Sequence, residues 1–190
     1  MDIVEKIFSA LERIHTSSRS ALTRAGHEHG LSPLQAQILH FVHRRNAANA
    51  SQLADQLRVS KPTISDAIAT LLTKKLIKKT ASKEDARGYS ITLTAKGRNE
   101  AVLLASYATP FLDSVNTLSE PQKQALWDAL LNLLRTMESQ GLIPYQRMCF
   151  SCQHFEKNAA NNGYYCRLMQ LPLRIDELRI DCNEHERTAS

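Results

Sequence analysis

Up to Gly141 the apolar residues recur at helical spacing, and the pattern is interrupted at a few capped and glycine-marked places. Residues 2 to about 29 predict one long helix with Ile3, Ile7, Leu11, Ile14 and Leu22 on a single face; Gly26 and Gly30 weaken its end and close it. Ser32-Pro33 followed by Gln35 is a capping box that opens a second helix through Phe41 and Arg44, with Leu34, Ile38, Leu39 and Val42 as its core face. Asn49 and Gln52 repeat the device before a short helix that buries Leu53, Ala54 and Leu57. Arg58-Val59 makes a turn. Ser60 caps the next helix, and Pro62 sits in its first turn, where a missing N–H removes no hydrogen bond. Ile64, Ala67, Ile68, Leu71 and Leu72 then form one apolar stripe. After Leu76-Ile77 the period changes. Lys78-Lys79-Thr80 and the alternating Tyr89–Thr94 predict two strands joined across a polar turn that ends near Gly88.

Helical spacing resumes at Thr94, with Val102, Leu103, Tyr107 and Phe111 on the apolar side and Pro110 expected to kink the helix. Ser119 with Gln122 opens a last helix carrying Leu126, Trp127, Leu130, Leu131, Leu134 and Met137. That is more apolar surface than one stripe in a monomer needs, and it predicts a helical dimer interface. Gly141 and Pro144 end the helical part.

Two short helices joined by a tight turn and followed by a hairpin are the order of a winged helix-turn-helix. Charge sharpens the reading. From Arg58 to Arg87 there are eight Lys/Arg and three Asp/Glu, a net of +5, equal to the formal net charge of the whole chain. The face of the Ser60-capped helix opposite its apolar stripe carries Lys61, Thr63, Asp66, Thr70, Thr73 and Lys74. Short hydrogen-bonding groups flanked by cations suit the major groove: the cations neutralise phosphate and the short groups reach base edges. The competing reading of any charge run is a solvated surface; the helix-turn-helix order and the wing favour DNA. The candidate DNA-binding residues are Ser60, Lys61, Pro62, Thr63, Ser65, Asp66, Thr70 and Lys74 on the helix, and Lys83, Asp85 and Arg87 on the wing.

From about Leu31 to Met137 the chain resembles the MarR family of winged-helix transcriptional regulators. The resemblance rests on LSPLQAQILHFV, SQLADQLRVSKPTISDAIATLLTKKLI and KEDARGYSITLTAKG. Its most specific element is Asp85-x-Arg87 followed by Ile91-x-Leu93-Thr94 and Gly97. The resemblance implies a homodimer in which the first helix packs on the last helices of the other subunit. It further implies that the Ser60-capped helix is the recognition helix, that Arg87 enters the minor groove from the wing, and that binding represses. A small-molecule effector between the DNA-binding and dimerisation regions is a further implication. One departure is Lys75, where the family usually has glycine; a tighter turn is expected there.

The chain has 190 residues and a hydrophobic content of 43%, enough for one domain with an appendage. No window approaches 18 uninterrupted apolar residues, so no membrane helix is expected. MDIVEKIFSALERI carries charges throughout and is not a secretory signal, so a cytoplasmic location is expected. Residues 1–148 hold no Gly-rich nucleotide loop and no Ser/His/Asp or Cys/His nucleophile set, so no enzyme activity is expected. The expected organisation is a helical dimerisation region from 1–30 and 95–144, a winged helix-turn-helix over 31–94, and a small irregular metal-binding extension over 145–190. The fold class is mainly α.

The extension holds all four cysteines: Cys149, Cys152, Cys166 and Cys182, spaced C-x2-C-x13-C-x15-C. Disulfides are disfavoured in a cytoplasmic chain, so metal ligation leads. An iron–sulfur cluster uses four thiolates and tolerates long gaps. Zinc is the alternative, with Cys149-x2-Cys152 as one knuckle and Cys182-x2-His185 competing with Cys166 for the other. Free thiols or a redox disulfide form the third possibility. The spacing is similar to that of high-potential iron–sulfur proteins. His154 is a further candidate, more often a supporting group than a ligand. Phe150, Phe155, Tyr164, Tyr165, Leu168, Leu171, Leu173 and Ile175 are the candidate core around the metal. Such a metal is either a staple that folds the extension or a sensor. The leading function is therefore a DNA-binding regulator that senses redox, iron–sulfur or metal status through its four-cysteine site. The alternatives are an electron-transfer or redox subunit that uses the winged helix as an assembly scaffold, and a winged-helix protein-interaction module. Against the last, the recognition face is polar and basic rather than apolar or acidic.

Overall fold

The computed structural model describes residues 2–81, 89–158 and 163–188. Contacts divide the chain into two compact units, one ending at Ser114 and one starting at Val115.

The first unit begins with α1 (Ile3–Glu28), α2 (Pro33–Arg45), α3 (Ala50–Leu57) and α4 (Lys61–Thr73). The expected caps form: the Ser32 hydroxyl and Asn49 amide oxygen accept from the N–H of Gln35 and Gln52 at 3.3 and 2.8 Å, and each glutamine returns a bond to the cap backbone. β1 (Ile77–Ala81) and β2 (Tyr89–Leu93) pair antiparallel from Ile77↔Leu93 to Ala81↔Tyr89. A bridge between Ala48 and Ile91 adds the α2–α3 connection to the wing. α5 (Ala95–Ala105) follows.

One core joins these elements. Ile38, Leu39 and Val42 of α2, Leu53 of α3, Ile64, Ile68 and Leu71 of α4, Ile77 and Ile91 of the wing and Leu104 of α5 are all buried in it. Each such side chain contributes about 1.5–3 kcal/mol relative to exposure. The α4 stripe is thus fully used against the core, which orients its polar face outward.

Two expectations are revised, for Gly26 and for Pro110. Gly26 lies inside α1 rather than ending it: a Cβ there would stand 2.8 Å from Ala36 Cβ, so glycine permits the close α1–α2 packing. The stop comes from Gly30 at φ 65°, with the Leu31 and Gly30 N–H groups closing onto Gly26 and His27 carbonyls at 2.8 and 3.0 Å. On α5 the buried residues are Gly97, Ala101 and Leu104, whereas Val102 and Leu103 are exposed. Pro110 does more than kink a helix. The helix breaks into a 3-10 turn at Ser106–Ala108 and restarts as α6 (Thr109–Asn116), since Pro110 has no N–H to give the carbonyl four residues back.

The second unit contains α7 (Glu120–Ser139), β3 (Phe155–Asn158), β4 (Gly163–Cys166) and β5 (Leu171–Leu173). α7 therefore groups with the extension. The extension is more regular than its sequence indicates: β3, β4 and β5 form a three-stranded antiparallel sheet. Leu131, Met148 and Leu178 are buried, and the Trp127 indole donates to the Ile175 carbonyl at 2.8 Å. Phe150, Phe155 and Tyr164 form a ring cluster with centroids 5.3–6.2 Å apart, and the Arg135 guanidinium of α7 lies 5.2 Å from the Phe150 centroid. Met148 and Leu178 were not legible as core because no period surrounds them. No helix among the described residues is long and apolar enough to cross a membrane.

Candidate nucleic-acid interface and cysteine site

The outward face of α4 presents Lys61, Pro62, Thr63, Ser65, Asp66 and Thr70, all exposed. Ser60 caps the helix: its hydroxyl accepts from the Thr63 N–H at 3.4 Å and lies 2.8 Å from the Thr63 hydroxyl. The Thr70 hydroxyl bonds back to the Asp66 carbonyl at 3.0 Å, and Thr73 does the same to Ala69. Such back-bonds fix the rotamers of hydroxyls that remain able to accept from outside. Lys74 sits differently. Its ammonium donates to the Gly30 carbonyl and, at 3.4 Å, to Gln35 Oε1, so it ties α4 to the α1–α2 turn.

Where α4 ends, Lys75 takes φ 58°, the left-handed conformation that glycine adopts freely. The Leu76 and Lys75 N–H groups bond to the Leu71 and Leu72 carbonyls at 3.0 and 2.9 Å, and Leu71 and Leu76 are buried. This is a complete Schellman cap with lysine at the position that favours glycine. The tight turn expected there is present, and it forces strain on a β-carbon. Beyond it, the Leu76 carbonyl accepts from the Thr94 N–H at 3.1 Å, and Gly97 packs directly on it. This contact sets the wing against the start of α5. On the wing, the Lys79 ammonium lies 4.1 Å from the Tyr89 ring centroid. Lys83, Asp85 and Arg87 lie outside the described residues.

In the second unit all four cysteines, far apart in sequence, line one small cavity of about 30 Å³, together with His154, Phe155, Leu168, Met169, Leu173 and Glu184. Two segments are laced to bring the first and last cysteines together. The Cys149 N–H donates to the Arg179 carbonyl and the Cys182 N–H to the Arg147 carbonyl, both at 3.0 Å. The Arg147 guanidinium grips Asp181 Oδ1 at 2.8 and 3.0 Å. Cys152 follows the 3-10 turn at Cys149–Ser151, and Cys166 ends β4 beside Phe155 of β3. The cysteines are unpaired. Burial pushes the Cys149 thiol above its ordinary range; a hydrogen bond from the Arg179 N–H to its sulfur at 3.2 Å acts against this, and Cys182, Cys152 and Cys166 add to the rise.

His185 is engaged elsewhere. Its Nε2 lies 3.2 Å from the Tyr145 hydroxyl and 3.1 Å from that of Ser151, and it does not line the cavity. Burial lowers its pKa. The geometry therefore groups Cys166, not His185, with the other three cysteines. His154 does line the cavity; its Nε2 is buried without a hydrogen bond and stands 3.4 Å from Glu186 Oε2, outside good hydrogen-bond geometry. No group of three or more His, Cys, Asp or Glu among the described residues is arranged to hold a metal ion. The shared cavity is compatible with this: a lone tetrahedral ion requires sulfurs about 3.8 Å apart, a tighter condition than lining one wall. Arg179, which contacts two of the four sulfurs, was not singled out by the sequence; its only signal there is its place three residues before Cys182.

Comparison with known proteins bears on the first of these sites. A sequence model of the MarR family matches residues 29–88, from the α1–α2 turn to the residue before β2. The chain is 23% identical over 128 residues to the HTH-type transcriptional regulator MhqR of Bacillus subtilis (strain 168), covering 66% of this chain and 87% of that protein. Among solved structures it is similar to a MarR family transcriptional regulator from Listeria monocytogenes complexed with a 26mer DNA, with a TM-score of 0.60 and 22% identity over 75% of this chain and 93% of that one. It is also similar to a MarR protein from Peptoclostridium difficile, with a TM-score of 0.58 and 21% identity over 70% of this chain and 88% of that one. The four cysteines lie outside the segment that the family model matches. The matched segment, residues 29–88, holds the capped α3–α4 pair and the first strand of the wing, and there the chain is similar to the MarR family of winged helix-turn-helix transcriptional regulators.

Proposed function

We propose that the protein is a homodimeric repressor that reads a pseudo-palindromic operator through α4 and the wing, and that its Cys149, Cys152, Cys166 and Cys182 hold an iron–sulfur cluster whose state is the signal. The observation that carries DNA reading is the α4 geometry. One face is locked in a continuous core while the other offers Lys61, Thr63, Ser65, Asp66 and Thr70 to solvent on a fixed axis. A preorganised helix of this kind enters a major groove without reordering. The Listeria relative was solved with DNA, which supports the same mode here. Lys83 and Arg87, between the two wing strands in sequence, are the cations that would extend the contact.

The dimer is supported by α1. Ile3, Val4, Ile7, Phe8 and Ile14 are 52–69% exposed in the single chain, an apolar stripe that a second copy covers. Two recognition helices related by a two-fold axis set half-sites about 10 bp apart.

The donor set supports the cluster. Four thiols share one cavity walled by Phe155, Leu168, Met169 and Leu173, and a backbone N–H already points at Cys149. Burial and the three neighbouring sulfurs disfavour the Cys149 thiolate, and a bound cation would offset both. A cluster is wider than a lone ion and takes four thiolates from well-separated chain positions; zinc is the alternative. When bound, a cluster supplies a site whose charge changes by one electron. The extension is packed on α7 through Trp127, Leu131 and Arg135, so a change at the cysteines reaches that helix directly. A small-molecule effector remains a second input.

The test has two parts. Anaerobically purified protein is assayed for iron, sulfide and zinc and its visible spectrum recorded. A single operator duplex is then titrated with as-isolated, chelator-treated and Cys152→Ser protein at two salt concentrations. Binding that weakens with salt establishes DNA contact. Operator affinities differing by about tenfold or more between the first protein and the other two establish sensing; agreement within about twofold reduces the metal to a staple, since allosteric coupling is typically about 1–3 kcal/mol.

A further inference from the structure

Four thiolates around a divalent ion leave a net charge of about −2, and four thiolates around a cubane cluster in its 2+ state leave the same. Whichever group is held, the site is an anion, and Glu184 on its wall adds to the negative charge. An anion half-removed from water needs a compensating cation or hydrogen-bond donors. The basic residues nearby are mostly committed. Arg147 is paired with Asp181, Arg167 with Glu156 at 3.2 Å, and Arg174 with Asp176 at 2.9 Å. Arg187 stacks on Tyr145 at 4.5 Å.

Arg179 is placed otherwise. Its backbone N–H donates to Cys149 Sγ at 3.2 Å, and its guanidinium Nη1 reaches Cys182 Sγ at 3.8 Å. One residue thus touches the first and last sulfurs of the set, once through the main chain and once through its charge. The main-chain half is held in place because the Arg179 carbonyl accepts from the Cys149 N–H at 3.0 Å. We infer that Arg179 is the counter-cation of the cysteine site: it stabilises the charged tetrathiolate and the group within it. The inference rests on metal ligation by the four cysteines and is independent of which metal they hold. It is a positioning and charge-balancing role, not that of a ligand.

The experiment uses the full-length protein purified anaerobically, whose iron and zinc are measured first. Release of that metal to a chelator is followed for wild type, Arg179→Gln, Arg179→Lys and Arg174→Gln, each at low and at about 1 M salt. Arg179→Gln keeps the backbone bond and removes only the charge. It is expected to release metal about fivefold faster at low salt, the size of an exposed charge contact. The ratio to wild type should shrink at high salt, where exposed charges are screened and a misfolded extension would gain nothing. Arg179→Lys should restore most of the retention, and Arg174→Gln should behave as wild type. Where the metal is iron, the midpoint potential of Arg179→Gln should fall below wild type, because removing a cation disfavours the reduced, more negative state. Trp127 fluorescence should be the same in all four proteins, showing an intact unit.

Wild type holding metal while Arg179→Gln releases it within about 1.5-fold of wild type would overturn the counter-cation role and leave ligation standing. A faster release in Arg179→Gln that salt leaves unchanged would also overturn it, as a structural effect. Wild type free of iron and zinc would overturn ligation and the counter-cation together.

Discussion

Gly97→Ala isolates the contact that fixes the wing. A Cβ built on Gly97 would lie 1.7 Å from the Leu76 carbonyl oxygen and 2.7 Å from its carbon. Real Cβ contacts essentially never fall below 3.0 Å, so α5 and the start of β1 must separate by more than an ångström. The obstacle is backbone, and that carbonyl is held: it accepts from the Thr94 N–H at 3.1 Å and lies 3.3 Å from the Thr94 hydroxyl, which itself bonds the Lys75 carbonyl at 2.7 Å. Overpacking in a core costs about 1–3 kcal/mol where side chains can yield. Displaced hydrogen bonds add about 1 kcal/mol each. The expected loss is about 3–5 kcal/mol, a drop of roughly 10 °C or more in midpoint for a unit of this size. Urea unfolding followed by far-UV circular dichroism reads it. Gly30→Ala is the control: its φ is 65° but nothing lies within 4 Å of the added carbon, so the left-handed strain alone applies, at about 1–2 kcal/mol. If Gly97→Ala destabilises no more than Gly30→Ala, the carbonyl contact does not hold the wing and the reasoning fails.

Lys75→Gly should stabilise the protein by about 1 kcal/mol, because it relieves the left-handed lysine in the α4 cap; a loss of stability in urea titration would contradict the cap assignment. Burial, with Arg44 and His43 nearby, holds the His40 pKa below its ordinary 6.5, so the unfolded chain takes up the proton first as pH falls. The stability present above about pH 6.5 should be lost as pH drops from there through the lowered folded value, with His185 acting in the same direction. His40→Phe, which keeps a ring against Tyr107, should flatten a plot of melting temperature against pH; an unchanged slope would exclude His40 as its source. Thr63→Ala and Asp66→Ala should change which operator variants bind best, by about 1–3 kcal/mol at the affected base pair, whereas Arg87→Ala should weaken all variants together; selection on a randomised half-site distinguishes the two outcomes.

The physical reason so much of the first unit was legible is that its signals are local. Capping boxes at Ser32 and Asn49, the Ser60 cap with Pro62 and the α4 stripe each act within a few residues, and each forms as its sequence predicts. Period and punctuation therefore determined the helices, the hairpin and the polar face that α4 turns outward. Tertiary structure decided what depends on partners distant in the chain. Gly26 reads as a helix stop, but Ala36 makes it a packing site; Gly97 reads as one residue of a motif, but Leu76 makes it a clamp. Val102 and Leu103 are apolar like the core of α5 but lie exposed on its other face in the single chain. The extension shows the limit most clearly. Its cysteines announced themselves by composition, yet nothing local distinguishes Cys166 from His185, or Arg179 from the other arginines. Those distinctions come from the fold of residues 147–182, where main-chain bonds bring Cys149 to Cys182 and leave His185 to Tyr145 and Ser151.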